Sequence, residues 1–379
     1  MTAQLIGIIP AAGRGTRMAV RGGDTAKALI QVDGRPLIES AIESLLSIGV
    51  AKIIIVIGHR AEEVRQFFSA RNFSVEVEFA LQETQLGLPH AIASAAPLVT
   101  SDFVVLCPDN LYSEPGDLVA ARTVFLNHQP PFLMVATVSP THQHDRAKYF
   151  AAAMQRRAPH LYEYASDETL AAPGLSLNST GCTFFCRAAL QALPSFDDLR
   201  EEVTFHSFLT QLAKAGQPLI YLLRGMRFDF SGPQDVEDYG GLQQRLRATT
   251  STGVSAILIN SEGHVLLQHR DDNPSIRYPG HWALWGGTIE PGETAHAAAC
   301  REILEETGYN IENLGLFRQF VQNGKREFAF AGEIDASLDE LSLGEGQAMN
   351  FVRPQDLPKL LIRPDDKETL KAYFGDWDE

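Results

Sequence analysis

One stretch leaves this chain less freedom than any other: Gly287-x5-Glu293-x7-Arg301-Glu302-Ile303-Leu304-Glu305-Glu306-Thr307-Gly308. Its alanines and strong helix formers predict a helix over Thr294–Glu306, with Gly308 placed to stop it. Glu302, Glu305 and Glu306 then stand at i, i+3 and i+4, on one face. Carboxylates so close repel one another unless cations sit between them, and hard oxygen donors of this kind suit Mg²⁺ or Mn²⁺. Such ions can bridge a diphosphate and activate a water for attack on phosphorus. A merely solvated acidic helix face would not require the glycine, glutamate and arginine at their fixed distances upstream.

This run resembles the Nudix box, Gly-x5-Glu-x7-Arg-Glu-U-x-Glu-Glu-x-Gly-U with U a bulky aliphatic, and departs from it only at Tyr309. The similarity extends upstream through Leu266–Arg270 and Pro279–Gly287 and downstream to Asp356–Leu357. Nudix hydrolases cut the diphosphate that joins a nucleoside to another group. The resemblance implies an α/β/α fold in which Glu302, Glu305 and Glu306 ligate metal, with Glu306 catalytic. It also implies that Glu293 and Arg301 orient the helix and loop, and that a later glutamate joins the site as ligand or base. Glu345 is the first choice for that role and Glu327 the second. Trp282, Trp285 and Tyr278 could stack on a base, but aromatics beside a Gly-Gly turn are more often core.

The first 247 residues follow a different rhythm. Leu5–Pro10, Lys52–Gly58, Glu76–Ala80 and Phe103–Cys107 read as strands, alternating with helical Pro36–Ile48, Ala61–Phe68 and Ala91–Pro97. That alternation predicts an α/β fold around a mostly parallel sheet. Small polar residues at 248–252 read as a linker between a first domain, 1–247, and a second, 253–379. The net charge of −15 is uneven: residues 1–247 carry 21 basic and 25 acidic groups, residues 248–379 carry 11 and 22. So acidic a second domain disfavours a nucleic-acid partner. The longest apolar runs fall short of a membrane span. Four cysteines without paired spacing, and no basic segment ahead of the first apolar stretch, suggest a reduced, cytoplasmic protein.

The first strand runs into Ile9-Pro-Ala-Ala12-Gly13-Arg14-Gly15-Thr16-Arg17-Met18. Glycines at 13 and 15 permit a tight turn whose N–H groups can approach phosphate, and Arg17 adds a forked donor. Met18 occupies the last glycine position of a dinucleotide fingerprint, which argues against a nicotinamide cofactor. Lys27 follows, then Gln82 with Leu86-Gly87-Leu88-Pro89-His90-Ala91. Asp109 closes the strand Phe103–Cys107, and Phe228-Asp229-Phe230-Ser231-Gly232 lies near the domain's end. Open α/β sheets hold ligands at the carboxyl ends of their strands.

In this order, these motifs resemble the sugar-1-phosphate nucleotidylyltransferases, a similarity that covers residues 1 to about 247. It implies a Rossmann-like domain in which Ala12, Gly13, Gly15, Thr16 and Arg17 wrap a nucleoside triphosphate. Arg17 and Lys27 would neutralise the reacting phosphates, Gln82 and Gly87 meet the base, Asp109 and Asp229 hold Mg²⁺, and Gly181 lie by the sugar. One departure stands out: the Glu-Lys-Pro stretch, whose lysine grips the sugar phosphate in many members, is absent from Ala153–Gly174. The expected whole is a bifunctional Mg²⁺-dependent enzyme. It would join NTP to a sugar 1-phosphate in one domain and hydrolyse a nucleoside diphosphate derivative in the other. Two alternatives for the first domain are a nucleotide- or sugar-phosphate-sensing module and a phosphocholine-type cytidylyltransferase.

Overall fold

The computed structural model describes residues 4–13, 26–139, 154–158, 160–164, 177–196, 201–247, 249, 251–322 and 324–377. Gly15, Thr16 and Arg17 therefore lie outside the described residues, as does most of Ala153–Gly174.

The run Lys52–Ile57 explains the first domain. Its unbroken apolar sequence suits a strand buried on both faces. Ile53, Ile55 and Ile57 pack with Ile38, Ile42 and Leu45 of the helix Leu37–Ser47. Ile54 and Val56 face the opposite way, toward Ala91, Ile92 and Ala95 of the helix Leu88–Ala95. Lys52–Ile57 lies between Glu76–Leu81 and Ile6–Pro10, and Ile6–Pro10 in turn pairs with Phe103–Leu106, all in parallel. The expected α/β domain with its parallel sheet is thus present. Beyond Phe103–Leu106 the nine-stranded sheet continues through Leu177–Phe185, which is antiparallel to both of its neighbours. Consecutive strands leave Ile6–Pro10 in opposite directions across the sheet, so a crevice opens where Pro10 and Leu106 end.

The second domain is built on a six-stranded mixed sheet. Ser251–Ile259 runs parallel to Lys325–Glu333 and antiparallel to Val265–His269. Alternation along Ser251–Ile259 separates two cores. Val254, Ala256 and Leu258 pack under Ala298, Ala299 and Ile303 of the helix Ala295–Thr307. Ile257 and Ile259 face the other side, with Leu370 and Tyr373 of the helix Pro364–Phe374. The helix Pro233–Arg247 ends where the expected linker begins, and the strand Ser251–Ile259 starts inside it.

A tight seam joins the two sheets. The backbone N–H of His160 donates to Asn313 Oδ1 at 2.7 Å, and Leu316 N–H donates to the Arg224 carbonyl at 3.3 Å. Arg326 Nη2 donates to the Leu246 carbonyl at 2.7 Å. At Gly315 the first domain packs so close that a methyl group would meet the Val138 side chain, at Cγ2, at 2.7 Å. The rings of His160 and His296 lie 5.4 Å apart across this contact. Burial, first of all, depresses their pKa values to about 3 and about 4. Among the described residues, no helix is long and apolar enough to cross a membrane.

Candidate active sites

At the crevice of the first domain, Asp109 and Asp229 meet because their flanking segments zip together. Asn110–Tyr112 pairs antiparallel with Arg227–Asp229, setting Asp229 opposite Asn110, and Phe230 N–H donates to the Asp109 carbonyl at 2.9 Å. Each carboxylate already holds a cation from the chain. Lys27 Nζ lies 2.5 Å from Asp109 Oδ2, and Arg227 Nη2 lies 3.5 Å from Asp229 Oδ2. Burial raises the Asp229 pKa, and Arg227 is the largest influence against it.

Lys27, Asp109, Ala12, Gly13, Gln82 and Gly87 line one cavity of about 330 Å³. Gln82 is 4% exposed; its Nε2 donates to the Gly87 carbonyl at 3.2 Å and lies 3.3 Å from His90 Nδ1. Gly87 has φ +91°, and a side chain there would strike the Val203 carbonyl. Gly181 (φ +73°) sits where Leu177–Phe185 breaks register, and a methyl group there would come within 2.7 Å of Asn110 Nδ2. Sequence reasoning passed over Arg227, Gln85 and Glu202, which also stand at this site or its rim. For Arg227 a signal existed, since it shares a strand face with Asp229 two residues on.

In the second domain the helix Ala295–Thr307 is capped by Thr294, whose Oγ1 accepts from Ala297 N–H, and Gly308 (φ +68°) ends it. Arg301 organises the acidic face. Its Nε and Nη2 hold Glu293 at 3.0 and 3.1 Å, and its Nη1 reaches Glu302 at 2.9 Å and Glu305 at 3.3 Å. Glu302 lies over the turn, where a methyl group on Gly287 would collide with its carboxylate. Glu305 faces solvent, its side chain 60% exposed.

Glu306 is different. Its Oε2 accepts from Gly286 N–H at 3.2 Å, and its pKa rises to about 7, chiefly through burial and then through the charges of Glu302 and Glu345. Arg270 pulls the other way. Glu345 is exposed on its loop and anchored through its carbonyl, which accepts from Gln268 Nε2 at 3.0 Å. Glu327 is half-buried against Gly253, and burial raises its pKa. Trp285 is core, fully buried with Nε1 donating to the Leu266 carbonyl. Among the described residues, no three His, Cys, Asp or Glu side chains converge as a ready metal cage. Among the described residues of the first domain two carboxylates meet, and in the second Arg301 draws Glu302 and Glu305 toward itself.

Comparison with known proteins places two families side by side. Residues 7–173 match the MobA-like NTP transferase domain and residues 249–373 match the NUDIX domain. The UTP--glucose-1-phosphate uridylyltransferase AglF of Haloferax volcanii is 30% identical over 113 residues, which are 30% of this chain and 46% of AglF. The bifunctional protein GlmU of Geotalea daltonii is 28% identical over 203 residues, 53% of this chain and 42% of that protein. The chain thus spans less than half the length of these curated relatives. A UDP-glucose pyrophosphorylase crystallised with UDP-glucose superposes over 64% of this chain and 100% of its own, with a TM-score of 0.55 at 17% identity, a likeness of fold. The chain carries an N-terminal MobA-like NTP transferase domain fused to a C-terminal NUDIX domain, both of them enzyme domains.

Proposed function

We propose that the chain is a bifunctional enzyme. Its first domain transfers a nucleotidyl group from an NTP to a sugar 1-phosphate, and its second hydrolyses a nucleoside diphosphate derivative. The observation that carries this reading is the convergence of Lys27, Asp109, Gln82 and Gly87 on one cavity at the strand ends. An acceptor phosphate oxygen would attack the α-phosphorus in line, with pyrophosphate leaving. Lys27, released from Asp109, would meet the triphosphate, while Gln82 and Gly87 hold the base. Positioning and charge neutralisation supply most of the rate.

The donor sets fit Mg²⁺. Asp109 and Asp229 offer hard oxygens now balanced by two chain cations, and Glu302, paired with Arg301, and the buried Glu306 offer two carboxylates that repel each other. A bound divalent ion would screen phosphate charge and acidify a water. In the second domain Glu306 would hold the ion with Glu302 and Glu305 around it. Arg301 and Glu293 fix the helix against the turn, and Glu345 or Glu327 would accept a proton from the attacking water. Acting on the first domain's product would waste NTP, so the hydrolase is expected to prefer another nucleotide.

The test is pyrophosphate release from each of four NTPs with a panel of sugar 1-phosphates and phosphocholine, beside hydrolysis of nucleoside diphosphate sugars. The missing Glu-Lys-Pro favours a second reading, a nucleotide-sensing first domain. NTP binding without pyrophosphate release from any acceptor would establish it.

A further inference from the structure

Arg227 is placed as no structural arginine needs to be. Its side chain is only 16% exposed, and its Nη1 donates to Asn110 Oδ1 at 3.1 Å and to the Ser179 carbonyl at 3.0 Å. The opposite edge of the fork is nearly unspent: Nη2 makes the long 3.5 Å contact to Asp229, and Nε is buried with no partner. A guanidinium this deep is costly to bury unless its donors are matched. Freed of Asp229, the Nε–Nη2 edge would have the two-pronged geometry that meets two oxygens of a phosphate.

Its position fits the acceptor rather than the NTP. Lys27 stands at Asp109 within the cavity that holds Gln82 and Gly87. Arg227 approaches from beyond Asp229, bonded to Ser179 two residues before the left-handed Gly181. We propose that Arg227 binds the phosphate of the acceptor, supplying the cation that the missing Glu-Lys-Pro lysine would otherwise bring. Arg157 does not serve there, being paired with Glu163 beside strands at the other end of the sheet. The inference rests on the nucleotidyl-transfer reading. One acceptor phosphate oxygen forms a bond to the α-phosphorus, the bond from that phosphorus to the bridging oxygen breaks, and its electron pair leaves with pyrophosphate. Asp229, once it faces a divalent ion, no longer engages Arg227, and the fork turns to the acceptor.

The experiment compares the full-length chain with Arg227→Ala, Arg227→Gln and Arg227→Lys. Initial rates of pyrophosphate release are measured against NTP and against glucose 1-phosphate, N-acetylglucosamine 1-phosphate and phosphocholine. Calorimetry measures binding of Mn²⁺ alone and of the same phosphates in its presence. Loss of a charge-assisted pair predicts a rise of about ten- to a hundredfold in acceptor KM for the Ala and Gln variants, with partial rescue by Lys. NTP KM should stay within about twofold, and Mn²⁺ should bind at least as tightly, because a competing cation is gone. Equal rises in both KM values, unchanged acceptor KM, or weaker Mn²⁺ binding would overturn the proposal. If the parent chain releases no pyrophosphate with any pair, the transfer reading falls on its own. Calorimetry then decides about Arg227: phosphate binding lost in the Ala and Gln variants upholds its role, and binding absent from the parent or kept in the variants refutes it.

Discussion

The two acidic centres of this molecule solve one electrostatic problem in opposite ways. In the first domain each aspartate rests against a cation of the chain, Lys27 or Arg227, so the site is nearly neutral before anything binds. In the second, Arg301 gathers Glu293, Glu302 and Glu305 at the rim and leaves Glu306 buried, with its pKa lifted to about 7. The difference teaches where binding free energy goes. At the first site an arriving cation would have to displace ion pairs, freeing two donors for phosphate. At the second it would relieve a repulsion already present.

The largest effect should come from removing one carboxylate at each centre. Glu306→Gln should lower diphosphate hydrolysis on the order of a thousandfold and leave nucleotidyl transfer intact. Asp109→Asn should do the reverse, both activities being assayed on one preparation. Loss of both activities from either change in a folded protein would refute two independent centres. Next, Gly181→Ala should cut transfer at least about tenfold, since φ +73° is strained for alanine and the methyl group meets Asn110. Hydrolysis should persist, and a circular dichroism melt would report the accompanying fall in Tm.

A smaller and sharper contrast lies in pH. Below about 7 Glu306 is largely protonated and a metal must displace that proton, so the Mg²⁺-induced rise in Tm should be greater at pH 8 than at pH 6. Glu306→Gln should flatten the difference. The smallest effect concerns the seam. His160 and His296 are neutral in the fold, their pKa values depressed below the free value of about 6.5. Their contribution to stability is therefore complete above that value and is lost as pH falls toward about 4 for His296 and about 3 for His160. Denaturant midpoints from pH 7 to pH 5 should fall, and His296→Asn should soften the slope.

Local patterns were the legible part. Helix-forming alanines and a stopping glycine marked the helix of Glu302 and Glu306, and the unbroken Lys52–Ile57 run marked a strand covered on both faces. The residues singled out around Lys27, Asp109, Gln82 and Gly87 do line one cavity. What stayed hidden was made by distance along the chain. Arg227 meets Asn110 across 117 residues, and His160 meets Asn313 across 153, where no periodicity reaches. The uneven exposure of the three glutamates was also out of reach. Their i, i+3, i+4 spacing fixes a shared face, but Arg301 and the Gly286–Gly287 turn determine which carboxylate is covered.

The seam at Gly315 has a kinetic corollary. With one sheet joined to the other through His160, Asn313 and Arg326, bringing the two chambers together would mean breaking these bonds. On the proposed reading, a nucleotide made at one end would cross bulk water before meeting the other, so that dilution and competing nucleotides, rather than tethering, would set its fate.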